Sequence, residues 1–129
     1  MILLDTHVLV WMSLDPGRLS KAGIAAVQDA RIKGGLYISD ITLWEIALLV
    51  RRGRIKISGT IDTFIHEMSL PMSVKRITPA IAIMAVQFPD EYPKDPADRL
   101  IGATSIVEQI PLVTADEKLR FSPLLQTIW

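Results

Sequence analysis

Apolar runs of only two or three residues recur along this chain, and each stops at a polar side chain. Ile2-Leu3-Leu4 halts at Asp5, Leu36-Tyr37-Ile38 ends in Ser39, and Leu112-Val113 runs into Thr114. Runs this short and this continuously apolar suit strands buried on both faces. Between them lie longer stretches with helix caps. Ser20 opens a helix over 21–33, closed by Gly34-Gly35, and a second helix is expected over 41–52, stopped by Gly53. A weaker helix is expected over 60–68. Thr78-Pro79 opens another through Val86, and Asp95-Pro96 opens one that runs to about Gln109. Val74–Ile77 and the terminal Leu125–Trp129 read as further strands, and the prolines of 88–96 mark a loop. Strands that alternate with helices make an α/β fold with a parallel sheet, and ligands of such sheets gather at the carboxyl ends of the strands.

The 129 residues fit a single domain, 1–129, and a hydrophobic share of 50% is enough to build its core. Fourteen basic and fourteen acidic residues leave a formal net charge of zero, so nucleic-acid binding would have to come from a local patch. The absence of cysteine excludes disulfides and thiolate metal sites and fits a reducing cytoplasm. The first twelve residues are apolar but carry Asp5 and His7 and no basic segment, unlike a signal peptide, and no run reads as a membrane span.

Four acids stand out against this frame. Asp5 ends the first strand, Asp116 follows Leu112-Val113-Thr114, and Asp98 falls in the first turn of the helix that Asp95 caps. Each alone reads as an ordinary cap, turn or dipole-favoured acid. Glu45 is different. Its helical neighbours are Ile41, Thr42, Leu48 and Leu49, with Trp44 and Ile46 beside it, so the helix reads as buried and the carboxylate as costly without a partner. A parallel α/β layout lets all four acids meet at one end of the sheet. Apart from Lys118, no Lys or Arg stands beside Asp5, Glu45 or Asp116 in sequence. Clustered carboxylates repel and call for a cation. Oxygen-only donors suit a hard divalent ion, Mg²⁺ or Mn²⁺, and the corresponding reaction is attack of ion-activated water on a phosphate ester.

The stretches LLDTHVLVW, SDITLWEIALL, DPADRLIGAT and LVTADEKL, in this order, resemble those of the PIN-domain ribonucleases, specifically the VapC-type toxins of bacterial toxin–antitoxin pairs. The resemblance spans nearly the whole chain. It implies one PIN-like domain with a five-stranded parallel sheet flanked by helices. It carries the family's acidic quartet onto Asp5, Glu45, Asp98 and Asp116 as metal-holding and catalytic residues, with Thr6 and Thr114 as supporting hydroxyls. It also implies Mg²⁺-dependent endonucleolytic cleavage of RNA, a homodimer, and inhibition by a VapB-type antitoxin protein.

Other residues carry weaker signals. Arg51, Arg52, Arg54 and Lys56 form the densest basic run, suited to RNA phosphates or to complementing a helix dipole. Arg99 is expected to touch phosphate or pair with an acid. The tryptophans Trp11, Trp44 and Trp129 read as core or interface. Nothing in the pattern sets His7 beside His66, the only other histidine. Two rival readings are a haloacid-dehalogenase-like phosphatase and a non-catalytic, metal-stabilised interaction module. The first wants a second acid two residues after Asp5, where this chain has His7.

Overall fold

A computed structural model describes all 129 residues. Five parallel strands form one sheet in the order β3-β2-β1-β4-β5. They are β1 (Ile2–Leu4), β2 (Leu36–Ser39), β3 (Ser73–Lys75), β4 (Leu112–Val113) and β5 (Thr127–Ile128). Seven helices connect and cover them: α1 (Thr6–Leu14), α2 (Lys21–Lys33), α3 (Asp40–Arg51), α4 (Ile61–Ser69), α5 (Pro79–Val86), α6 (Pro96–Glu108) and α7 (Glu117–Arg120), with a 3₁₀ turn at Pro16–Arg18.

Strand periodicity divides the core in two. Ile2 and Leu4 pack on one face with Leu36, Ile38 and Val113, under Val8, Leu9, Val27 and Ile46. Leu3 and Leu112 point the other way, against Ile81, Ala85, Phe88, Ile101 and Leu119. Because both faces of β1, β2 and β4 are covered, these strands carry no polar alternation, and this is what made them legible as apolar runs.

The caps act as expected. Ser20 Oγ accepts from Gly23 N, and Gly34 takes the left-handed conformation (φ 71°) that ends α2. Thr60 and Thr78 cap α4 and α5 through Thr63 N and Ile81 N. Helix α3 begins at Asp40, one residue earlier than expected, because the Ser39 hydroxyl accepts from Ile41 N. Strand β3 is displaced from the expected Val74–Ile77 to Ser73–Lys75, and the Ile77 amide turns away to Asp40 Oδ2 at 3.2 Å. Helix α1 follows the cap that Asp5 offered in the sequence, whereas α7 and the 3₁₀ turn had no separate signal.

One expectation is corrected. Helix α3 is not buried all round: only Thr42 and Ile46 are fully buried, and Trp44 is 59% exposed. Ile46 and Thr42 face the sheet side, while Trp44 and Leu48 line an open groove shared with Asp95, Pro96 and Ala97. Trp11 and Trp129 are half-buried and pack on each other at 6.0 Å, whereas Trp44, the third tryptophan read as core or interface, stands on the open groove.

Strand order reverses at the β1–β4 boundary. The chain runs outward from β1 to β2 and β3, then crosses to β4 and β5 on the other side. At such a switch point the two connections diverge and leave a crevice at the carboxyl ends of the strands.

Candidate active site

Asp5 sits at that crevice. Its carboxylate caps α1, with Oδ1 accepting from Thr6 N at 2.8 Å. Its other oxygen accepts from Thr114 Oγ1 at 2.7 Å, directly beyond β4. The side chain is 6% exposed. Pairing of β1 with β4 produces this contact, since Asp5 N donates to Val113 O and so sets the two strand ends side by side.

Thr114 also accepts from Asp116 N at 3.1 Å, which folds the post-β4 turn back over the crevice. The Asp116 carboxylate then caps α7 through Lys118 N at 2.8 Å. The Lys118 ammonium is not paired with it: the only ion pairs in the molecule are Lys33–Asp29 and Lys75–Glu108.

Glu45 arrives from α3. It is held by Thr6, whose hydroxyl donates to Glu45 Oε1 and also contacts Thr42 Oγ1 at 3.1 Å. Thr6 therefore ties the β1 turn to the α3 face, which is why its side chain is buried to 1% exposure. Asp98 lies in the first turn of α6. Asp95 Oδ1 caps that helix by accepting from Ala97 N and Asp98 N at 2.8 and 3.3 Å.

The charges feel one another. Burial pushes the Asp5 carboxyl up, opposed by its bonds to Thr114 and Thr6, while Asp116 raises it further. Glu45 is also raised, first by burial and then by Asp5 and Asp95, against the Thr6 bond. Asp98 is pushed up to about 7 by burial, with Asp5, Asp95, Asp116 and Glu45 all adding to the shift. Every acid singled out in the sequence thus acts on Asp98 from the same crevice. A fifth, Asp95, belongs to the group as well. The sequence marked it only as a helix cap, and its spacing of three residues before Asp98 was the available signal.

Arg99 is a correction. It does not form the expected pairing with an acid. Its guanidinium donates to the carbonyls of Ala85, Phe88 and Tyr92 at 3.3–3.5 Å, pinning the 88–92 loop under α6. Tyr92 completes the pin: it stacks on Phe88 (3.8 Å between centroids) and donates to Asp98 O at 3.0 Å. The basic run also separates. Arg54 and Lys56 face a cleft that contains His7, whereas Arg52 lies along the groove of Glu45 and Asp95. His66 bonds to Asp62 O of its own helix and takes no part.

A family profile, that of the PIN domain, matches residues 2–121. The chain belongs to the PIN-domain family. Membership sets aside the dehalogenase-like alternative. This PIN domain is 37% identical, over 99% of its own length and 98% of the relative's, to Ribonuclease VapC22 of Mycobacterium tuberculosis. Among solved structures, it superposes on VapBC2 of Rickettsia felis bound to a promoter DNA fragment with a TM-score of 0.72 at 17% identity, covering 98% and 97% of the two chains. It superposes on FitAcB of Neisseria gonorrhoeae with a TM-score of 0.70 at 24% identity, covering 98% and 96%. At these identities the two structures establish the shared PIN fold.

The donor set of this PIN domain fits a hard divalent cation. Its carboxylates have no cationic partner, and their mutual repulsion would be relieved by one. No three of them stand close enough to close round a bare ion.

Proposed function

We propose that this chain is a divalent-cation-dependent endoribonuclease, the toxin of a VapBC-type pair. The observation that carries the reading is the group of unpaired carboxylates at the β1–β4 switch point, in a chain 37% identical to a VapC ribonuclease. Asp5, Glu45, Asp98 and Asp116 would hold the cation, Mg²⁺ or alternatively Mn²⁺. When bound, it supplies positive charge to the scissile phosphate and Lewis acidity to the attacking water. Thr114 and Thr6 keep Asp5 aimed and favour its ionised form. Thr6 does the same for Glu45. Without a cation the Asp98 carboxyl is pushed up to about 7, a sign of the positive charge that the crevice lacks, and a bound cation would favour its ionised form.

The proposed partners are RNA, a VapB-type antitoxin and a second copy of the chain. The groove of about 330 Å³ between α3 and α6 has apolar walls at Ile41, Trp44, Leu48 and Pro96, with Glu45 and Asp95 among its lining acids. An antitoxin segment that presents an Arg beside apolar side chains would match it, because the planar guanidinium suits carboxylates. No helix is long and apolar enough to cross a membrane, and the proposed place of action is the cytoplasm.

The test is incubation of the purified protein with structured RNA in Mg²⁺ or in chelator. Cleavage in Mg²⁺ that stops in chelator and disappears in Glu45→Gln is expected. Cleavage that persists in chelator, or that Glu45→Gln leaves unchanged, overturns the reading. So does a failure to cut a broad set of cellular RNAs in Mg²⁺ and Mn²⁺, which would leave a non-catalytic interaction module.

A further inference from the structure

A second cleft, of about 410 Å³, opens between α1, the 3₁₀ turn and the segment after α3. His7, Trp11, Arg18, Arg54 and Lys56 line it, over an apolar floor that includes Leu49 and Ile55. His7 stands two residues after Asp5, and Leu49 lines both this cleft and the groove of Glu45, so one end of the cleft adjoins the acidic crevice. At the other end it shares Leu14 and Lys56 with a neighbouring hollow of about 400 Å³ that reaches Ser58, Thr63 and Phe64 on the α4 side. The two form one furrow leading away from Asp5.

The cations of this furrow are free. None of Arg18, Arg54 and Lys56 takes part in an ion pair; Asp15 lines the first hollow and Glu67 the second. Arg18 is also held in place: its guanidinium carbon lies 4.2 Å from the Trp11 ring centre, and Trp11 is braced by Trp129. A cation already fixed over an aromatic ring loses less rotamer entropy when it engages an anion. In a chain of zero net charge, this is a local anionic-polymer track built from segments far apart in sequence.

We infer that the His7–Lys56 furrow is the entry track for the single-stranded segment of RNA next to the scissile bond, with Arg18, Arg54 and Lys56 each holding a backbone phosphate. The inference rests on the ribonuclease reading for the identity of the polymer. It separates Arg54 and Lys56, which bind substrate, from Arg51 and Arg52, which do not line the furrow, and it adds Arg18.

The experiment measures binding without cleavage. A fluorescein-labelled 20-nucleotide single-stranded RNA is titrated in chelator at several salt concentrations and followed by anisotropy. The variants are the triple Arg18→Gln/Arg54→Gln/Lys56→Gln and a charge-matched control on α2, Lys21→Gln/Arg31→Gln/Lys33→Gln. All six side chains are exposed, so both proteins should fold. The furrow variant should bind at least tenfold more weakly near 0.1 M salt, and its slope of log K against log salt should shrink by about 2, roughly 0.7 for each of three lost phosphate contacts. The control should match the parent. Arg18→Lys should keep the slope and still lose affinity severalfold, because it keeps the charge without the planar group. Equal losses in the furrow variant and the control, an unchanged slope, or no binding by the parent overturn the track. A parent that binds in this pattern yet cuts no RNA refutes the ribonuclease reading and leaves the track standing.

Discussion

Asp98→Asn should make the metal-free protein more stable, and the size of the gain follows from the crevice. The Asp98 carboxyl is pushed from an ordinary value of 3.8 to about 7 by burial and by Asp5, Asp95, Asp116 and Glu45. A folded value above the unfolded one means that protonation favours the fold. The associated stability is fully present below about pH 4 and is lost as pH rises through about 7. Three units at about 1.4 kcal/mol each set a ceiling of roughly 4 kcal/mol on the cost of ionisation. Asp98 is half-buried and reached by water, so screening reduces this to about 1–2 kcal/mol. Asn removes the charge and keeps the shape, but gives up about 0.3–1 kcal/mol of favourable dipole interaction. The net gain is of order 1 kcal/mol, or roughly 2–5 °C in Tm for a domain of this size. Melts in chelator at pH 7.5 should show it, and the gap should narrow as pH falls through 7 and close below about pH 4, where both folded and unfolded parent carry the proton. Millimolar Mg²⁺ should then raise the parent's Tm by mass action and the variant's much less. If the variant melts lower at pH 7.5, by an amount that pH does not change, and gains as much from Mg²⁺ as the parent, Asp98 is only a helix-start acid.

Three further outcomes are expected. Cleavage by activated water should leave 5′-phosphate and 3′-hydroxyl ends, and 2′,3′-cyclic phosphate found by end-group analysis would exclude that route. Thr114→Val should cost about 1–3 kcal/mol in denaturant melts by orphaning a buried Asp5 oxygen. Losing a bond that favours the charged form should also move the acid limb of the pH–rate profile upward, whereas an unmoved limb would deny Thr114 its part in tuning Asp5. Gly102→Ala should destabilise the fold by about 1–3 kcal/mol, since a Cβ there would run into the buried Tyr92 hydroxyl; a neutral result would mean that the Tyr92 pin gives way easily.

The inner strands β1, β2 and β4 were legible because both their faces are covered, whereas the exposed edge strand β3 was misplaced by one to two residues. Ile2–Leu4 needs no polar alternate, so it reads as a bare apolar run that Asp5 ends. The long helices were legible from side-chain caps, as at Ser20, Thr78 and Asp95. Helix α7 was not, because four residues hold too little periodicity to separate from a turn. Glu45 was found through the right observation and a wrong premise. The apolar surroundings are real, but Trp44 and Leu48 border an open groove, which a one-chain pattern cannot tell from a buried face. Arg99 misled for a related reason. Its neighbour Asp98 suggested an ion pair, whereas the partners it found are carbonyls of the end of α5 and the loop after it, seven to fourteen residues away. Such partners carry no side-chain signature.

The crevice is built so that its acids also hold up the fold. Asp5 caps α1, Asp95 caps α6, Asp116 caps α7, and Asp98 lies in the first turn of α6. Helix starts therefore converge where the carboxylates do, and each brings amide donors and the positive end of its dipole. That partial charge lets the chain fold with the acids together. It does not neutralise them: Asp98 still holds its proton up to about 7, and no Lys or Arg closes the remainder. A residual demand for positive charge is thus part of the folded state. Under the proposed function, a hydrated divalent cation meets that demand when the enzyme works, and an Arg from the antitoxin can meet it when the enzyme is silenced. The two would compete, because each relieves the same repulsion. Raising Mg²⁺ should accordingly weaken the antitoxin's grip on the groove beside Glu45, and Asp98→Asn should make that grip less sensitive to Mg²⁺. Titration of the antitoxin at several Mg²⁺ concentrations, against parent and variant, would show whether inhibition and catalysis draw on one electrostatic deficit or on two.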